Sequence, residues 1–347
     1  MMRVANLMLG VGRGGLEQAA VDFAEALQLA GVPVRTITVP GAWACAGLDA
    51  AGLARDGLRL GGLAGLWAPF RLLGLLQAFG PTHVLCHGNK ALKLAASPLV
   101  RRALPGCRIV GITHNYSLKH IARADHVLAL TDDLAKAVAS RGVPRQRVHR
   151  IGNLVRVAPA VPAARSAWRD PPVIGSIGRL VAKKGYEVFL EALGQLLARG
   201  CRFRAVLAGA GPEDAALRAQ ATRLGLDPHL TFAGWVDDRQ GFYDSVDIAV
   251  VPSHHEPFGI VVLEAMAQGL PLVATASEGP SEILADGTAG RLVPLADAAA
   301  LADALEALLA DPAAARALGH RSHARALSHH DIRPAAQALV QALGAMG

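Results

Sequence analysis

The sequence predicts two α/β domains in tandem, each a doubly wound parallel sheet with helices on both faces. Three observations carry this. Short apolar runs alternate with stretches of helical periodicity along the chain, the pattern of βαβ units. The alternation stops once, between Val155 and Pro172, and then restarts. The 347 residues exceed one ordinary domain and suit two of ~170. Hydrophobic residues make up 52% and charged residues 18%, so two cores can be filled and a disordered chain is excluded. Aromatics are only 4%, which suits aliphatic helices on parallel sheets better than a β-sandwich.

The elements follow in order. Met2 to Leu9 is apolar, a glycine cluster follows, and Leu16, Ala19, Ala20, Phe23, Ala26, Leu27 and Ala30 recur at helical spacing. Gly31-Val32-Pro33 ends that helix, and Val34–Val39 reads as a second strand. Further strands are expected at Thr82–Cys86, Arg108–Ile112 and His126–Ala129. Proline and alanine without periodicity mark 155–172 as a linker. Beyond it, strands are expected at Val173–Ile177, Arg204–Ala208, Leu230–Ala233, Ile248–Val251 and Leu272–Ala274. Helices are expected at Tyr186–Ala198, Asp214–Leu224 and Gly259–Gly269. The domain plan is therefore 1–154, a linker 155–172, a second domain 173–330, and a closing helix over 331–347 able to pack back on the first domain. Ligands of such sheets sit at the carboxyl ends of strands, and two sheets joined by a linker suggest a substrate cleft between two such edges.

Composition narrows the surroundings. The mean hydropathy is +0.31, but a membrane span needs ~20 apolar residues in a row. The longest uncharged run, Leu72–Asn89, is interrupted by Gly80-Pro81. No cleavage site follows the first apolar run, so export is not expected. Cys45, Cys86, Cys107 and Cys201 lack metal-ligand or redox spacing and read as free thiols in a reducing cytoplasm. The net charge of +7 is unevenly placed: residues 1–153 carry 18 Lys/Arg against 8 Asp/Glu, and the rest carry 17 against 20. A basic first half implies an anionic partner.

Gly10-Val11-Gly12-Arg13-Gly14-Gly15 formally contains the G-x-G-x-x-G of dinucleotide sites. The second strand should then end on an acid to hold the ribose, but it ends Val39-Pro40-Gly41. A nicotinamide or flavin cofactor is therefore not expected. What remains is a loop whose backbone can approach an anion closely, ahead of a helix start. A plain packing turn is the alternative.

The densest chemistry lies between Ser253 and Thr275. Glu256 closes a loop after a strand, Pro257 is placed to open a helix, and Glu264 stands among Val261, Val262, Leu263 and Ala265. A carboxylate in that setting is costly unless paired or facing a ligand. Two such acids suit sugar and ribose hydroxyls; the alternative is dipole complementation by Glu256 and a solvated face for Glu264.

The segment Glu256-Pro-Phe-Gly-Ile-Val-Val-Leu-Glu264, followed by Ala-Met-Ala-Gln-Gly-Leu-Pro-Leu-Val-Ala, resembles the retaining glycosyltransferases of family 4, which have the two-domain GT-B fold. Gly14-Gly15-Leu16-Glu17 is similar to the family's glycine loop. Gly178-Arg179-Leu180 with Lys183-Lys184-Gly185 resembles its diphosphate site. Leu207-Ala208-Gly209-Ala210-Gly211-Pro212-Glu213 and Phe232-Ala233-Gly234-Trp235-Val236 resemble its nucleotide-facing loops. Ile151-Gly152-Asn153-Leu154-Val155 stands where the family carries a P-N-G-V-like turn, with Gly in place of Pro and Leu in place of Gly.

The resemblance implies roles. Arg179 and Lys184 would hold the donor diphosphate, family spacing favouring Lys184 over Lys183. Glu256 would hold the hexose hydroxyls and Glu264 the ribose. Phe258, Gly259 and Ile260 would offer backbone N–H groups. Gly14 and Gly15 would approach the phosphate, and Gly209, Trp235 and Val236 the base. His114, just after the strand Arg108–Ile112, would meet the donor sugar, with His87 a weaker candidate; a hydrogen-bonded or surface imidazole is the alternative reading of His114. Glu256, His114, Arg179 and Lys184 are thus the catalytic candidates. Asp125, the nearest acid to a nucleophile's place, precedes a strand rather than following one. The resemblance implies same-face displacement in an ion pair. No Asp-x-Asp motif appears near a donor site, so neither metal nor cofactor is expected, and the co-substrate is a nucleotide-diphosphate sugar.

The acceptor side falls to the basic first half. Lys90, Lys93, Arg101, Arg102 and Arg108 cluster there, and Leu63–Leu76 is apolar with Trp67, Phe70 and Arg71. That stretch reads either as a buried helix or as one lying on an anionic bilayer. The expectation is a cytoplasmic enzyme, peripheral on the inner face of the membrane, acting on a glycan or lipid-linked acceptor such as a lipopolysaccharide core. A sugar-nucleotide epimerase of the same fold and a non-catalytic two-domain sugar-binding protein are the competing readings. No nucleic-acid recognition motif is present.

Overall fold

The computed structural model describes residues 1–162 and 168–346. The expected linker falls partly on 163–167, outside the described residues. The chain divides into two compact units: Met1–Leu154 together with the segment from His330 onward, and Val155–His329.

The first unit is built on seven parallel strands: β1 Val4–Met8, β2 Val34–Thr38, β3 Arg55–Gly57, β4 His83–His87, β5 Arg108–Thr113, β6 His126–Ala129 and β7 Val148–Arg150. Their order is β3-β2-β1-β4-β5-β6-β7. The second unit has six: β8 Val173–Ile177, β9 Arg204–Ala208, β10 Leu230–Gly234, β11 Ile248–Val251, β12 Leu272–Thr275 and β13 Arg291–Val293, in the order β10-β9-β8-β11-β12-β13. Both sheets reverse direction of winding beside their first strand, at β1/β4 and at β8/β11. Loops that follow the two strands of such a junction emerge side by side and leave a crevice.

The central strands β1, β4, β8, β11 and β12 are buried throughout, because helices cover both faces; this is why they read as continuous apolar runs. In the first unit Phe23 and Leu27 of helix Gly15–Leu29 are wholly buried, and helix Ile332–Gly344 packs against that same helix. The ring of His83 at the start of β4 reaches the Leu343 carbonyl at 3.1 Å. In the second unit helix Tyr186–Ala198 buries Phe189, Leu190 and Leu193 against β8 and its neighbours.

Several expectations need correcting. Strands β3, β7 and β13 were not foreseen; each has three residues and lies near or at a sheet edge, where burial imposes little apolar pattern. Pro257 does not open a helix: the helix spans Ile260–Ala267, and Gly259 precedes it at φ +99. The stretch Leu63–Leu76 is not one buried helix. It divides into Leu63–Leu66 and Ala68–Phe79; Leu72 and Leu76 are buried, while Leu63, Leu66, Trp67 and Phe70 are 81, 72, 61 and 57% exposed. Cys45 and Cys86 are buried and Cys107 and Cys201 only half-buried, all four as free thiols. Among the described residues, no helix is long and apolar enough to cross a membrane.

Candidate active site

In the second unit, the loops that follow β8, β9, β11 and β12 are locked together by backbone contacts that only glycine allows. A Cβ on Gly209 would lie 1.8 Å from the Gly178 carbonyl oxygen, and one on Gly185 would lie 2.1 Å from that of Pro252. A Cβ on Gly279 would likewise lie 1.9 Å from the Phe258 carbonyl oxygen. Hydrogen bonds complete the frame: Gly209 N–H donates to Gly234 O at 2.6 Å, His254 N–H to Lys183 O at 3.0 Å, and Gly279 N–H to Glu256 O at 2.9 Å.

This frame brings Lys184 against Glu256, 72 residues apart, as an ion pair with side chains 14% and 13% exposed. The cause is topological. β8 and β11 are paired neighbours at the switch point, so the loop after each must meet the other. Arg179, on the β8 loop, is exposed. Partial desolvation, then the like charge of Lys184, holds the ammonium of the exposed Lys183 below its ordinary range. Burial and the nearby Glu256 hold the Tyr186 hydroxyl well above its own.

Glu264, on the helix Ile260–Ala267, is gripped from the side by helix Arg239–Asp244. Arg239 Nε donates to Oε1 at 2.7 Å, a second guanidinium nitrogen donates to Oε2, and the Tyr243 hydroxyl lies 2.8 Å from Oε2. Burial disfavours the Arg239 cation, but Glu264 more than offsets this and the guanidinium holds its proton more tightly than usual. Tyr243, buried beside the same carboxylate, is likewise held protonated. Around Glu256, the His255 Nδ1 is 2.7 Å from Glu278 Oε1, and His254 pairs with Glu187. Gly259 and Ile260 stand at a helix start, where backbone N–H groups lack intrahelical partners. Phe258 is buried, and Trp235 and Val236 are half-buried, with Trp235 Nε1 donating to Asp237 at 2.8 Å.

In the first unit, Gly14 and Gly15 stand at the start of helix Gly15–Leu29, and the loop wraps the carboxylate of Glu17; a Cβ on Gly10 would lie 2.8 Å from Glu17 Oε1. A cavity of about 240 Å³ opens past the ends of β4 and β5, with Gly88, Asn89, Thr113, His114, Asn115 and Ser117 in its lining. His114 Nε2 is 2.9 Å from His87 Nδ1, and His87 Nε2 is 2.8 Å from Asn6 Oδ1. Burial holds the His114 imidazole down to about 4, and burial with the neighbouring His114 holds His87 well below its ordinary range. Asp125 lies away from the cavity, accepting from Ile109 N–H at 2.8 Å and pairing with Arg101.

Of the sequence-predicted residues of the second domain, Arg179, Lys184, Gly209, Trp235, Val236, Glu256, Phe258 and Gly259 lie on loops that follow strands, while Ile260 and Glu264 lie on the helix Ile260–Ala267; in the first, His114 stands with His87. Arg239, Tyr243, Glu187 and Glu278 were missed. Nothing in their spacing ties them to this site; the contacts, of Arg239 and Tyr243 with Glu264, of Glu278 with His255 and of Glu187 with His254, span 21 to 67 residues across separate elements. Among the described residues, no group of three or more His, Cys, Asp or Glu is placed to hold a metal ion.

Two Rossmann-like parallel sheets, each with candidate site residues in the loops beyond the carboxyl ends of its strands, make this a protein of the GT-B class. The family model "Glycosyltransferase Family 4" matches residues 13–159, and "Glycosyl transferases group 1" matches residues 171–311. The lipopolysaccharide core biosynthesis glycosyltransferase LpsE of Rhizobium meliloti is 30% identical over 333 residues, covering 93% of each chain. The alpha-D-kanosaminyltransferase of Streptomyces kanamyceticus is 30% identical over 72% of this chain and 75% of its own. The crystal structure of Anabaena HepE with UDP-glucose superposes with a TM-score of 0.84 at 21% identity, over 99% of this chain and all of that one. The chain belongs to glycosyltransferase family 4.

Proposed function

We propose that the protein is a retaining hexosyltransferase that moves a hexose from a nucleotide-diphosphate sugar to a glycan or lipid-linked acceptor of the cell envelope, without a metal ion or other cofactor. The observation that carries this reading is the Lys184–Glu256 pair at the β8/β11 switch point, with Arg179 exposed on the same loop system. Of the three N–H donors on Lys184, Glu256 occupies one, so two remain for phosphate oxygens. Arg179 offers a planar fork to the same diphosphate. As the bond from the anomeric carbon to the diphosphate oxygen breaks, its electron pair leaves with the diphosphate. The acceptor oxygen bonds to that carbon on the same face, and the acceptor proton passes to the departing phosphate oxygen. Charge on the leaving group grows along this path, so the two cations stabilise the transition state more than the bound substrate.

The remaining residues position the donor. Glu256 accepts from hexose hydroxyls while steadying Lys184. Glu264 has about four lone-pair positions, of which Arg239 and Tyr243 take three, leaving Oε1 open to a ribose hydroxyl. Gly14, Gly15, Phe258, Gly259 and Ile260 present backbone to the phosphates and sugar. Gly209, Trp235 and Val236 face the base, and His114 meets the donor hexose. The nucleotide-sugar donor is supported by HepE, whose structure holds UDP-glucose, and the cell-envelope acceptor by the name of LpsE. A thermal-shift panel of nucleotide sugars tests the reading, because a specific ligand raises stability with the logarithm of its concentration. One nucleotide sugar should stabilise the protein and be consumed in the presence of acceptor, with turnover lost in Glu256→Ala. A panel without any stabilising sugar nucleotide overturns the reading.

The acceptor is proposed to lie at an anionic membrane face. Leu63, Leu66, Trp67 and Phe70 are exposed together, the Trp67 and Phe70 rings are 5.8 Å apart, and exposed Arg71 adjoins them. Apolar side chains beside cations match the boundary between acyl chains and anionic headgroups. In this reading the enzyme works in the cytoplasm, on the inner face of the membrane, and does not bind nucleic acid.

A further inference from the structure

Three side chains from three strands or strand ends form a directed chain of hydrogen bonds. Asn6 of β1 is wholly buried, with Nδ2 2.9 Å from the Ala20 carbonyl and 3.2 Å from Thr36 Oγ1. A carbonyl oxygen only accepts, so the Asn6 amide nitrogen is pinned on that side and Oδ1 on the other. Oδ1 lies 2.8 Å from His87 Nε2, which must therefore carry a hydrogen. In a neutral ring the other nitrogen, Nδ1, is then a bare lone pair. It lies 2.9 Å from His114 Nε2, which must supply the hydrogen of that contact. The two rings are held for it, with centroids 5.0 Å and planes 22° apart, and the Phe23 ring packs against His87 in a T-shaped contact with centroids 5.7 Å apart. In neutral His114 the remaining Nδ1 is unprotonated, and no group among the described residues hydrogen-bonds to it. His114 lines the cavity beyond β4 and β5.

We infer that Asn6 and His87 are positioning residues that lock His114 in its Nε2–H form, so that the nitrogen left for a ligand accepts a hydrogen bond and cannot donate one. The cavity would then take a hydroxyl at this point and reject a phosphate or carbonyl oxygen, which only accepts. This rests on the proposal that His114 meets the donor sugar, and it says which kind of sugar group it meets. Burial of both rings keeps them neutral, as the chain requires.

Nitrogen-15 histidine spectra of the unliganded full chain at neutral pH read the tautomer directly, with the His114 signals assigned from His114→Asn. The expected result is a protonated Nε2 and an unprotonated Nδ1. In His87→Leu, His114 should become a mixture of tautomers and kcat/KM should fall about tenfold to a hundredfold, by analogy with loss of groups that orient a metal-bound imidazole. His87→Asn places an amide oxygen near the lost Nδ1 and should restore both the tautomer and the rate. A wild-type His114 in the Nδ1–H form overturns the inference, as does an unchanged Nε2–H tautomer in a folded His87→Leu. If His87→Leu does not fold, the wild-type spectrum decides alone. These spectra need no substrate, so their outcome is separate from whether the protein transfers a sugar.

Discussion

Arg239 grips Glu264 at two points, with Nε on Oε1 at 2.7 Å and a second nitrogen on Oε2, and Tyr243 closes the third side at 2.8 Å. The clasp answers why an acid can stand on an otherwise apolar helix. It also makes Glu264 the end of a rigid bracket rather than a free side chain. Arg239→Leu should therefore lower stability by about 2 kcal/mol, less than the ~3–5 for a fully buried pair because Arg239 keeps 33% of its side chain in water. Arg239→Lys keeps the charge but loses the fork and should recover only part of this. Urea unfolding of both variants checks the ranking; equal stability of all three proteins would contradict it.

Lys184 and Glu256 act as a unit in the proposed chemistry. Lys184→Met should reduce kcat by about 10²–10³, the range for losing one group that stabilises developing negative charge. Glu256→Gln should also slow turnover, and the double variant should cost less than the product of the two. Steady-state rates with a saturating donor measure this, with circular dichroism to confirm the fold. Additive effects would mean that the pair does not act jointly.

The glycine frame should be intolerant of a single methyl. Gly209 has φ +148, with the Gly178 oxygen 1.8 Å from where a methyl carbon would stand, and Gly185 has φ +64 with the Pro252 oxygen at 2.1 Å. Gly209→Ala and Gly185→Ala should each cost more than ~2 kcal/mol and loosen the donor loops. Gly31→Ala is the control: its φ is +72 and, among the described residues, nothing lies within 4 Å of where a Cβ would stand, so only the ~1–2 kcal/mol backbone penalty applies. Thermal melts of the three variants should separate on this basis.

Acid should destabilise the first unit through its histidine pair. Both imidazoles are harder to protonate in the fold than in the unfolded chain, where the pKa is near 6.5. Protons then bind the unfolded chain first and draw the equilibrium toward it. The stability from neutral His114 is complete above pH 6.5 and drains as the pH falls to about 4, with His87 extending the loss further down. Melting temperatures should thus fall from pH 6.5 downward, and His114→Asn should flatten part of that slope.

The exposed apolar edge should matter only at a membrane. Trp67→Ser with Phe70→Ser should leave stability within about 0.5 kcal/mol, since neither ring is buried. Flotation with anionic liposomes should fall in that variant, and wild-type flotation should weaken in neutral liposomes. Flotation that does not depend on anionic lipid would overturn the membrane proposal.

The sequence by itself determined the fold class, because strands buried on both faces must be short and apolar and the helices over them must be amphipathic. β6, β8, β9 and β11 and the helix Tyr186–Ala198 have the bounds that periodicity implied. It also marked Glu264 as an acid that must be paired, face a ligand or stay solvated, because charge amid Val262 and Leu263 is costly to bury. Tertiary structure alone decided who that partner is. Lys184 meets Glu256 because β8 and β11 are neighbours at a switch point, and neither residue's local sequence encodes strand order. The exposure of Trp67 and Phe70 was likewise undecided locally, since an apolar stretch reads the same whether it faces a core or water. The Asn6–His87–His114 chain was the least legible, because its direction depends on which side of a buried amide faces a helix carbonyl, and only packing places that carbonyl.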